Sequence, residues 1–453
     1  MSLTNQHIAI LGGGRSGLAA AELAMREGAG VELFDTVKGA AADALRADCA
    51  ARLPGMRVVT GDDALVPPVR RFDLLITSPG ISLVDGWGAA MAATAVKSIG
   101  EIEFAWKYFH GRTIGITGTN GKTTTTEMIR DLLLAAGIKA VAAGNHGMPL
   151  AEVVTRHPET TVVALELSSF QLETIENFRP DVAVWLNFAP DHLDRYPSLA
   201  EYHAAKLRLF LNLDSTGIAI VPAEESAEID CHGARRETFS TGDSTATWHL
   251  AGGRVCRGED PLMSLGDVAV RGRHNHANLL AAWAAAHAIG VGDDVARDVF
   301  AAFIPPRNRY EWVACIDGVD FINDSKSTNL HSLETALNAE ERGIILIAGG
   351  KDKGLDFNAV ADTVARRCRA VIAIGEIRPH LHAAFAARVA YAEAVDLGEA
   401  VAKARALAQS GDAVLLSPGT SSFDMFRDYA HRGEVFRQVI RANETMQMTE
   451  PAL

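Results

Sequence analysis

A glycine-rich turn between an apolar strand and a helix constrains this chain more than any other feature. Ile114 and Ile116 predict a short buried strand, and Met128 and Ile129 begin the apolar stripe of a helix predicted over residues 124–134. Glycines between the two elements allow several backbone N–H groups to point at one spot. The positive end of the helix that follows makes that spot an anion site.

The residues of this turn are those of a phosphate loop: Gly118, Thr119, Asn120, Gly121, Lys122, Thr123 and Thr124. Lys122 supplies a mobile charge for the outer phosphates of a nucleotide, and the hydroxyl of Thr123 can bind Mg²⁺. The usual pattern places glycine at position 116, where this chain has Ile116, so the loop is a variant. ATP binding is the favoured interpretation, and a purely structural turn is the alternative.

Size and charge narrow the class of protein. A chain of 453 residues is too long for one core and predicts two to four domains. The net charge of −13 argues against a broad surface for nucleic acid or membrane. The five cysteines include no Cys-x-x-Cys pair, which fits a reducing compartment. With no visible signal peptide and no apolar run of the ~20 residues that cross a bilayer, the expected location is the cytoplasm.

The N-terminal segment carries a second glycine pattern. Residues 6–11 predict a buried strand, and residues 12–17 fit Gly-x-Gly-x-x-Gly, followed by a helix and a strand that ends at Asp35. This is a dinucleotide fingerprint, which alone would indicate NAD but is a weak signal. Another strand ends before Ser78, where a ligand could sit at the edge of a sheet. Glu101 and Glu103 follow near the end of the first domain. The alternative to a functional role is that they are solvated charges before a helix.

Polar residues follow the next strands. Glu166 interrupts a strongly apolar strand near the phosphate loop, where a carboxylate can bind Mg²⁺. A capped or salt-bridged glutamate is the alternative. A later strand, predicted over 181–188, precedes Asp191 and His192 at a predicted sheet edge.

A helix with a readable start then places Lys206 among apolar neighbours. Ser198 and Glu201 have the spacing of a capping box. Steps of three and four residues put Lys206 on one face of the helix with four apolar or aromatic side chains, which are Leu199, Tyr202, Leu209 and Leu213. Burial there would lower the pKa of the lysine and make its amine nucleophilic. The alternative is that the side chain extends to the surface.

The C-terminal third alternates strands and helices again. An alanine-rich helix starts near His274 and contains Asn275 and Asn278, with His287 expected to be packed inside the protein. Residues 304–306, with two prolines, predict a linker. After it, polar residues follow the carboxyl end of each apolar strand, which predicts a ligand crevice along one sheet edge.

Taken in order, these motifs resemble the Mur ligases, which form amide bonds in peptidoglycan precursors with ATP. The resemblance extends through nearly the whole chain and rests on the phosphate loop, Glu166, Asn187, Asp191, His192, Lys206, His274, Asn275, Asn278, Arg309 and the segment from Asn323 to Lys326. It implies an α/β protein with a Rossmann-like UDP-sugar domain (1–104), a central P-loop ATPase-type domain (105–304) and a Rossmann-like C-terminal domain (305–453). The last would close on ATP and bind glutamate.

The resemblance also implies roles for individual residues. Catalysis would depend on Lys122, His192 and a carbamylated Lys206. Residues 118–124 with Asn278, Arg309 and Asp324 would bind ATP, and the UDP-sugar would contact Gly14, Asp35, Thr36, Ser78, Asn145, Ser168, Gln171 and His192. Glutamate would contact Lys326, Thr328, Lys353 and Ser422. Two Mg²⁺ ions would be bound by Thr123, Glu166, His192 and Lys206.

The implied reaction adds D-glutamate to UDP-N-acetylmuramoyl-L-alanine through an acyl phosphate, in a monomeric enzyme. Gly419, Thr420 and Tyr429 depart from residues common among relatives near the expected glutamate carboxylate, so L-glutamate stays an alternative. Related ligases that add other amino acids are a second alternative. An NAD-dependent reductase built on residues 12–17, or a non-catalytic nucleotide-binding module, are more distant ones.

Overall fold

The structure is a computed structural model that describes residues 2–192, 195–270, 272–340 and 342–447. The chain forms two compact units. The first contains residues up to 188 together with 192–268 and 277–301, and the second contains 189–191, 269–276 and the chain from 302 onward. Within the described ranges, no helix combines the length and the apolar character needed to cross a membrane.

The N-terminal part of the first unit is a five-stranded parallel sheet in the order β3-β2-β1-β4-β5. Its strands are β1 His7–Leu11, β2 Gly30–Asp35, β3 Arg57–Thr60, β4 Leu74–Thr77 and β5 Ser98–Gly100. The helices are α1 Arg15–Arg26, α2 Ala40–Arg52, α3 Asp62–Leu65, α4 Gly86–Ala92 and α5 Glu101–Trp106. Strands buried on both faces explain the continuous apolar runs of this segment.

The rest of the first unit is built on a nine-stranded sheet in the order β14-β13-β12-β11-β10-β9-β6-β8-β7, with β12 to β14 antiparallel. Its strands are β6 Arg112–Thr117, β7 Ala140–Gly144, β8 Val162–Glu166, β9 Val182–Trp185, β10 Ile218–Pro222, β11 Arg235–Ser240, β12 Trp248–Ala251, β13 Arg254–Arg257 and β14 Asp260–Ser264. The α-helices are α6 Lys122–Ala135, α7 Leu150–Arg156, α8 Ser169–Leu172, α9 Leu199–Leu207, α10 Arg273–Ile289 and α11 Asp293–Ala302. Short 3-10 helices span Arg208–Phe210, Ala223–Glu225 and Leu265–Asp267.

The second unit contains a six-stranded sheet in the order β15-β16-β20-β17-β18-β19. Its strands are β15 Glu311–Ile316, β16 Val319–Asn323, β17 Ile344–Gly349, β18 Cys368–Ile374, β19 Ala390–Glu393 and β20 Ala413–Leu416. The helices are α12 Leu330–Ala339, a 3-10 turn Phe357–Val360, α13 Ala361–Arg367, α14 Arg378–Phe385, α15 Leu397–Leu407 and α16 Tyr429–Gln447. The predicted multi-domain α/β class is confirmed.

One apolar core joins both sheets of the first unit. It includes Leu18 and Leu23 of α1, Ile102 of α5, and Leu150 and Val153 of α7. Helices that cover a parallel sheet bury their apolar stripe against it. Here α1, α5 and α7 also contribute to the same core, so the glycine turn after β1 is attached to the elements around the phosphate loop.

Candidate active site

The phosphate loop lies where β6 ends and α6 begins. Gly118 and Gly121 have φ angles of +154° and +83°, values that side chains disfavour. A Cβ atom on Gly121 would lie 2.2 Å from Oδ1 of Asn278, and one on Gly118 would lie 2.9 Å from Cβ of Leu186. Both glycines are therefore required, and the helix starts at Lys122, two residues before the predicted start.

Lys122 folds back over this loop. Its Nζ atom donates to the carbonyl oxygen of Gly118 at 2.8 Å and to that of Thr119 at 2.9 Å. The amine therefore lies beside the convergent backbone of the anion site, where an ammonium group binds outer phosphates as a point charge.

Glu166 connects the phosphate loop to the loop after β7. Strands β6 and β8 are neighbours, with Ile116 opposite Glu166, so the carboxylate emerges beside the start of α6. Its Oε2 accepts a hydrogen bond from the hydroxyl of Thr123 at 2.8 Å, and its Oε1 accepts one from Nδ2 of Asn145 at 2.8 Å. The structure thus brings together Thr123 and Glu166, which were predicted to bind one Mg²⁺, and places Asn145, which was predicted to contact the substrate, beside them.

Lys206 is buried, with 1% of its surface exposed, so the alternative that it extends to solvent is wrong. Ser198 caps α9 by accepting from the backbone N–H of Glu201 at 3.3 Å. Helix α9 then brings Nζ of Lys206 to 2.8 Å from the carbonyl oxygen of Gly118 and 4.9 Å from the ring centre of Tyr202. Of the five residues predicted to share this face, Leu199 is exposed.

The chain after β9 completes the loop. Asn187 accepts from the backbone N–H of Asn120 at 2.9 Å and donates to its carbonyl oxygen at 3.1 Å. The hydroxyl of Thr119 lies 3.3 Å from that of Tyr202. The importance of Tyr202 was missed because its helical position indicated only an apolar face.

His192 lies near this region, with its ring centre 4.9 Å from that of Phe170 and 6.0 Å from that of Tyr202. Ser168 and Gln171, both predicted to bind substrate, form the capping box of α8. Their side chains therefore also stabilise the start of α8.

The donors at this site suit Mg²⁺, which prefers oxygen ligands and binds through few protein groups. The carboxylate of Glu166 and the hydroxyl of Thr123 are such ligands and are already adjacent. Within the described ranges no three His, Cys, Asp or Glu side chains form a metal-binding group. A second Mg²⁺ at His192 and Lys206 therefore depends on conversion of the amine to a carbamate, and it stays a prediction.

The glycine turn after β1 is closely packed. Gly12 has φ +91°, and a Cβ atom there would lie 2.7 Å from Oγ of Ser78. Asp35 accepts hydrogen bonds from the backbone N–H groups of Gly13 at 2.6 Å and Val37 at 2.9 Å. Asp35 and Ser78 thus lie beside residues 12–14, whereas Thr36 is exposed next to them.

In the second unit, Asp324 follows β16 and is surrounded by protein. Burial raises the pKa of its carboxyl to about 7, although hydrogen bonds from Oγ of Ser417 and the backbone N–H of Tyr310 oppose this, as does the charge of Arg309. The hydroxyl of Ser417 donates at 3.0 Å and the N–H of Tyr310 at 3.2 Å. Arg309 and Asp324, both predicted to bind ATP, therefore interact electrostatically.

The predicted glutamate residues occupy two environments. The amine of Lys326 lies 3.8 Å from the ring centre of Tyr429, one of the positions that departs from relatives. Ser422 is buried and Thr328 is half-buried, whereas Lys353 is exposed. These residues belong to loops that follow β16, β17 and β20.

Arg432 of α16 is buried and connects those loops. Its guanidinium donates to the hydroxyl and the carbonyl oxygen of Ser325 at 3.0 and 2.9 Å, to the carbonyl oxygen of Thr420 at 3.2 Å and to that of Gly349 at 3.4 Å. This residue was missed. A single arginine in a C-terminal helix has no sequence pattern that indicates burial.

The structure also tests the predictions made for Glu101, Glu103 and His287. Glu101 and Glu103 are 2% and 0% exposed, so their interpretation as solvated charges is wrong. The carboxylate of Glu103 accepts from the backbone N–H groups of residues 176, 177 and 178 at 2.8–3.0 Å, which explains its burial. His287 packs its ring 5.4 Å from that of Trp248, as predicted.

His274 lies in the first turn of α10, which begins at Arg273. The ring of His274 contacts that of Tyr310, with centres 5.4 Å apart. Burial, and then the neighbouring His276, lower the pKa of His274 to about 4. The imidazole is therefore neutral in ordinary solution.

Comparisons with known proteins identify one family, the Mur ligases. Residues 116–286 match the Mur ligase middle domain, and residues 308–420 match the Mur ligase glutamate ligase domain. The UDP-N-acetylmuramoylalanine--D-glutamate ligase of Chlorobium limicola is 37% identical, over 98% of this chain and 99% of that protein. The same-named protein of Pelodictyon phaeoclathratiforme is 36% identical, over 97% and 99%.

Solved structures show the same fold. UDP-N-acetylmuramate-alanine ligase MurC of Thermotoga maritima is 18% identical with a TM-score of 0.60, over 97% of this chain and 100% of that one. MurF ligase of Thermotoga maritima, solved in complex with ADP, is 14% identical with a TM-score of 0.60, over 97% and 96%.

Proposed function

The chain belongs to the Mur ligase family, and on that premise we propose that it uses ATP to join D-glutamate to UDP-N-acetylmuramoyl-L-alanine. Full-length relatives at 36–37% identity are named for this reaction. The observation that carries the proposal is the convergence of Lys122, Lys206 and the Thr123–Glu166 pair on one phosphate loop. A binding module has no need of a buried amine and a carboxylate there.

The loop and Lys122 would bind the phosphates of ATP. The backbone N–H groups of Thr119 and Asn120 donate to Asn187, which holds the loop in shape. The backbone N–H groups at the start of α6 suit the phosphate oxygens, and the ammonium of Lys122 suits the γ-phosphate. Mg²⁺ bound by Thr123 and Glu166 would neutralise charge on the transferring group. Asn278, next to Gly121 in the first unit, would contact the nucleotide, as would Arg309 and Asp324 of the second unit.

Lys206 would serve as a carbamate. The buried ammonium would first lose one proton. The neutral amine nitrogen would then bond to the carbon of CO₂ and release a second proton, which converts a buried cation into a carboxylate. A carboxylate would bind a second Mg²⁺ together with His192. Burial of the amine supports this step, because a lysine that cannot be solvated is stabilised when it loses its positive charge.

The reaction then has two steps. The carboxylate of the muramoyl-alanine substrate attacks the γ-phosphorus of ATP, which gives an acyl phosphate and ADP. The amine of glutamate attacks the acyl carbon, the C–O bond to phosphate breaks, and the amine loses its proton. Asn145, Ser168, Gln171 and His192 would orient the first substrate, with Gly14, Asp35, Thr36 and Ser78 at its UDP end.

The segments would divide this work. Residues 1–104 would bind the UDP-sugar, 105–304 would bind ATP, and 305–453 would close on ATP and bind glutamate through Lys326, Thr328, Lys353 and Ser422. The enzyme would act as a monomer in the cytoplasm, where ATP is available, and would bind no nucleic acid. L-glutamate is the second candidate substrate, because Tyr429 and Gly419 lie among these loops.

Phosphate release tests the proposal. Purified protein with ATP, Mg²⁺ and UDP-N-acetylmuramoyl-L-alanine should release phosphate when D-glutamate is added, and far less with L-glutamate, L-alanine or a diamino acid. A preference for L-glutamate would establish the second candidate. If no ATP is consumed with any of these combinations, the proposal is wrong. NADH titration, followed by fluorescence, should show no binding.

A further inference from the structure

The loop of residues 144–147, between β7 and α7, is bonded to three different elements through successive residues. Asn145 donates to Glu166 at the end of β8 at 2.8 Å. His146 pairs with Glu127 of α6, and the carbonyl oxygen of Gly147 accepts from Arg15 of α1. The loop therefore connects the phosphate-loop helix, the carboxylate at the proposed metal site and the N-terminal glycine turn.

Arg15 forms the connection to the glycine turn. It is the first residue of α1, directly after residues 12–14, and its Nη1 donates to the carbonyl oxygen of Gly147 at 3.0 Å. Its Nη2 lies 3.7 Å from Oε2 of Glu152 on α7. Because α1 and α7 pack in the same core, this bond joins two backbone segments that are already held at a fixed separation.

His146 forms the connection to the phosphate-loop helix. Its Nε2 lies 2.6 Å from Oε1 of Glu127, which follows Lys122 on α6. Glu127 also pairs with Arg130 on the same helix. A hydrogen bond with an ionised acceptor is among the stronger ones, so this pair fixes the opposite side of the loop.

Backbone hydrogen bonds hold the first part of the loop, where the N–H groups of Gly144 and Asn145 donate to the carbonyl oxygens of Met148 and Glu166, each at 2.9 Å. Gly144 and Gly147 have φ angles of +96° and +80°, and glycines leave the chain more conformational freedom than other residues do. Asn145 lies between these two glycines and its side chain is exposed apart from its bond to Glu166. The side-chain bonds made at His146 and Gly147 therefore add to the backbone bonds in holding the amide of Asn145.

We propose that Arg15, His146 and Glu127 are positioning residues that hold Asn145 for the sugar-nucleotide substrate. The inference rests on the proposed function, which places the UDP end at residues 12–14 and the muramoyl-alanine end at Asn145. Arg15 directly follows residues 12–14, and its side chain bonds to the loop that contains Asn145. The two ends of one substrate are thereby set at a fixed distance before it binds, which reduces the ordering cost of binding.

Calorimetric titration with UDP-N-acetylmuramoyl-L-alanine, without ATP or glutamate, tests this directly. Arg15→Ala, Arg15→Gln and His146→Ala should each raise the Kd about three- to tenfold, the usual effect of losing one such hydrogen bond. The KM for ATP should change less than about twofold, since Lys122 and Glu166 are untouched. The double variant Glu127→Gln/His146→Ala should have a Kd no higher than that of whichever single variant binds more weakly, because both substitutions remove the same hydrogen bond.

Two matched controls are available in the same unit. Arg26, also exposed on α1, donates to the carbonyl oxygen of Thr155 on α7 at 2.9 Å, far from the loop. His157 follows α7 and lies near Glu159. Arg26→Ala and His157→Ala should bind the sugar nucleotide as the unaltered protein does.

Three results would separate the possibilities. Unaltered protein that fails to bind this sugar nucleotide would refute the proposed function itself. If the unaltered protein binds but the Arg15 and His146 variants match it, the positioning role is wrong. It is also wrong if the KM for ATP rises as much as the Kd, or if the controls weaken binding equally, because the variants then act through general disruption.

Discussion

Nζ of Lys206 lies 2.8 Å from the carbonyl oxygen of Gly118, the same oxygen that accepts a hydrogen bond from Nζ of Lys122 at 2.8 Å. Two ammonium groups that share one acceptor repel each other, and Lys206 has no access to water that would screen the repulsion. An anionic ligand at the loop, or the loss of the positive charge on one amine, would reduce this repulsion. Bound ATP would meet the first condition, and the proposed carbamylation of Lys206 would meet the second.

Lys206→Ala should therefore remove most of the phosphate release, by about a hundredfold or more, because the proposed carboxylate is lost. Added acetate or formate should restore part of it by occupying the vacated space as a carboxylate. The measurement is phosphate release with and without the short acid, and Lys139→Ala, an exposed lysine of the same unit, is the control. Full activity in Lys206→Ala would exclude the carbamate.

Lys122→Ala should reduce turnover about a thousandfold, since a preorganised charge at the transferring phosphate is lost from a site with little water. The fold should persist, because the hydrogen bonds of Lys122 to Gly118 and Thr119 stay within its own loop. Steady-state kinetics with saturating substrates would measure the loss, and the urea midpoint would check the fold. A variant with normal kcat would show that the phosphates bind elsewhere.

The elements of the site were largely predictable from local pattern. Apolar strands followed by glycine or polar residues indicated where β6, β8 and β16 end. Helical spacing placed Lys206 on an apolar face but left its burial open, and the structure decided it. The observed end of a strand differs from the predicted end where a side chain binds the phosphate loop. The strand predicted over 181–188 ends at Trp185, because the chain then leaves the sheet and places Asn187 against Asn120.

Contacts between distant segments were not predictable. Glu103 binds the N–H of Phe178, 75 residues away, and Arg432 binds Ser325, 107 residues away. A buried charge looks like a surface charge in sequence until its partners are known. The same reason explains why Arg15 and Glu127 were not recognised, since their partners lie on a loop that tertiary packing brings to them.

Glu101 predicts a pH dependence of stability. Burial raises the pKa of its carboxyl to about 7, partly opposed by hydrogen bonds from the backbone N–H groups of Ala151 and Leu150. Because the folded pKa exceeds that of the unfolded chain, the folded state binds the proton more tightly. This favours folding at low pH, and the advantage disappears as the pH rises through about 7.

Glu101→Gln should flatten that dependence, with an effect on the order of 3 kcal/mol in the free energy of unfolding between about pH 5 and about pH 8. Urea unfolding at both pH values, with exposed Glu159→Gln as the control, gives the comparison. Asp324 titrates in the same direction and is present in all three proteins, so it does not affect the difference between them. Equal slopes for Glu101→Gln and the unaltered protein would contradict the assignment.

The buried guanidinium of Arg432 leads to a prediction about the binding of glutamate. Burial lowers the pKa of its guanidinium to about 10, so the side chain is still charged at neutral pH. Its hydrogen bonds hold the loops after β16, β17 and β20, which carry the proposed glutamate residues. Lysine keeps the charge but has one nitrogen in place of three, so Arg432→Lys cannot make all of these bonds.

Arg432→Lys should therefore raise the KM for glutamate about tenfold, while the Kd for the sugar nucleotide, whose proposed site lies in the first unit, stays unchanged. Backbone amides of residues 323–329, 349–354 and 417–422 should exchange hydrogen faster, since the carbonyl oxygens of Ser325, Gly349 and Thr420 lose donors. Exposed Arg427→Lys, just before α16, is the matched control. If exchange accelerates but the KM for glutamate does not move, these loops do not bind the amino acid, and the assignment of Lys326, Thr328 and Ser422 fails with it.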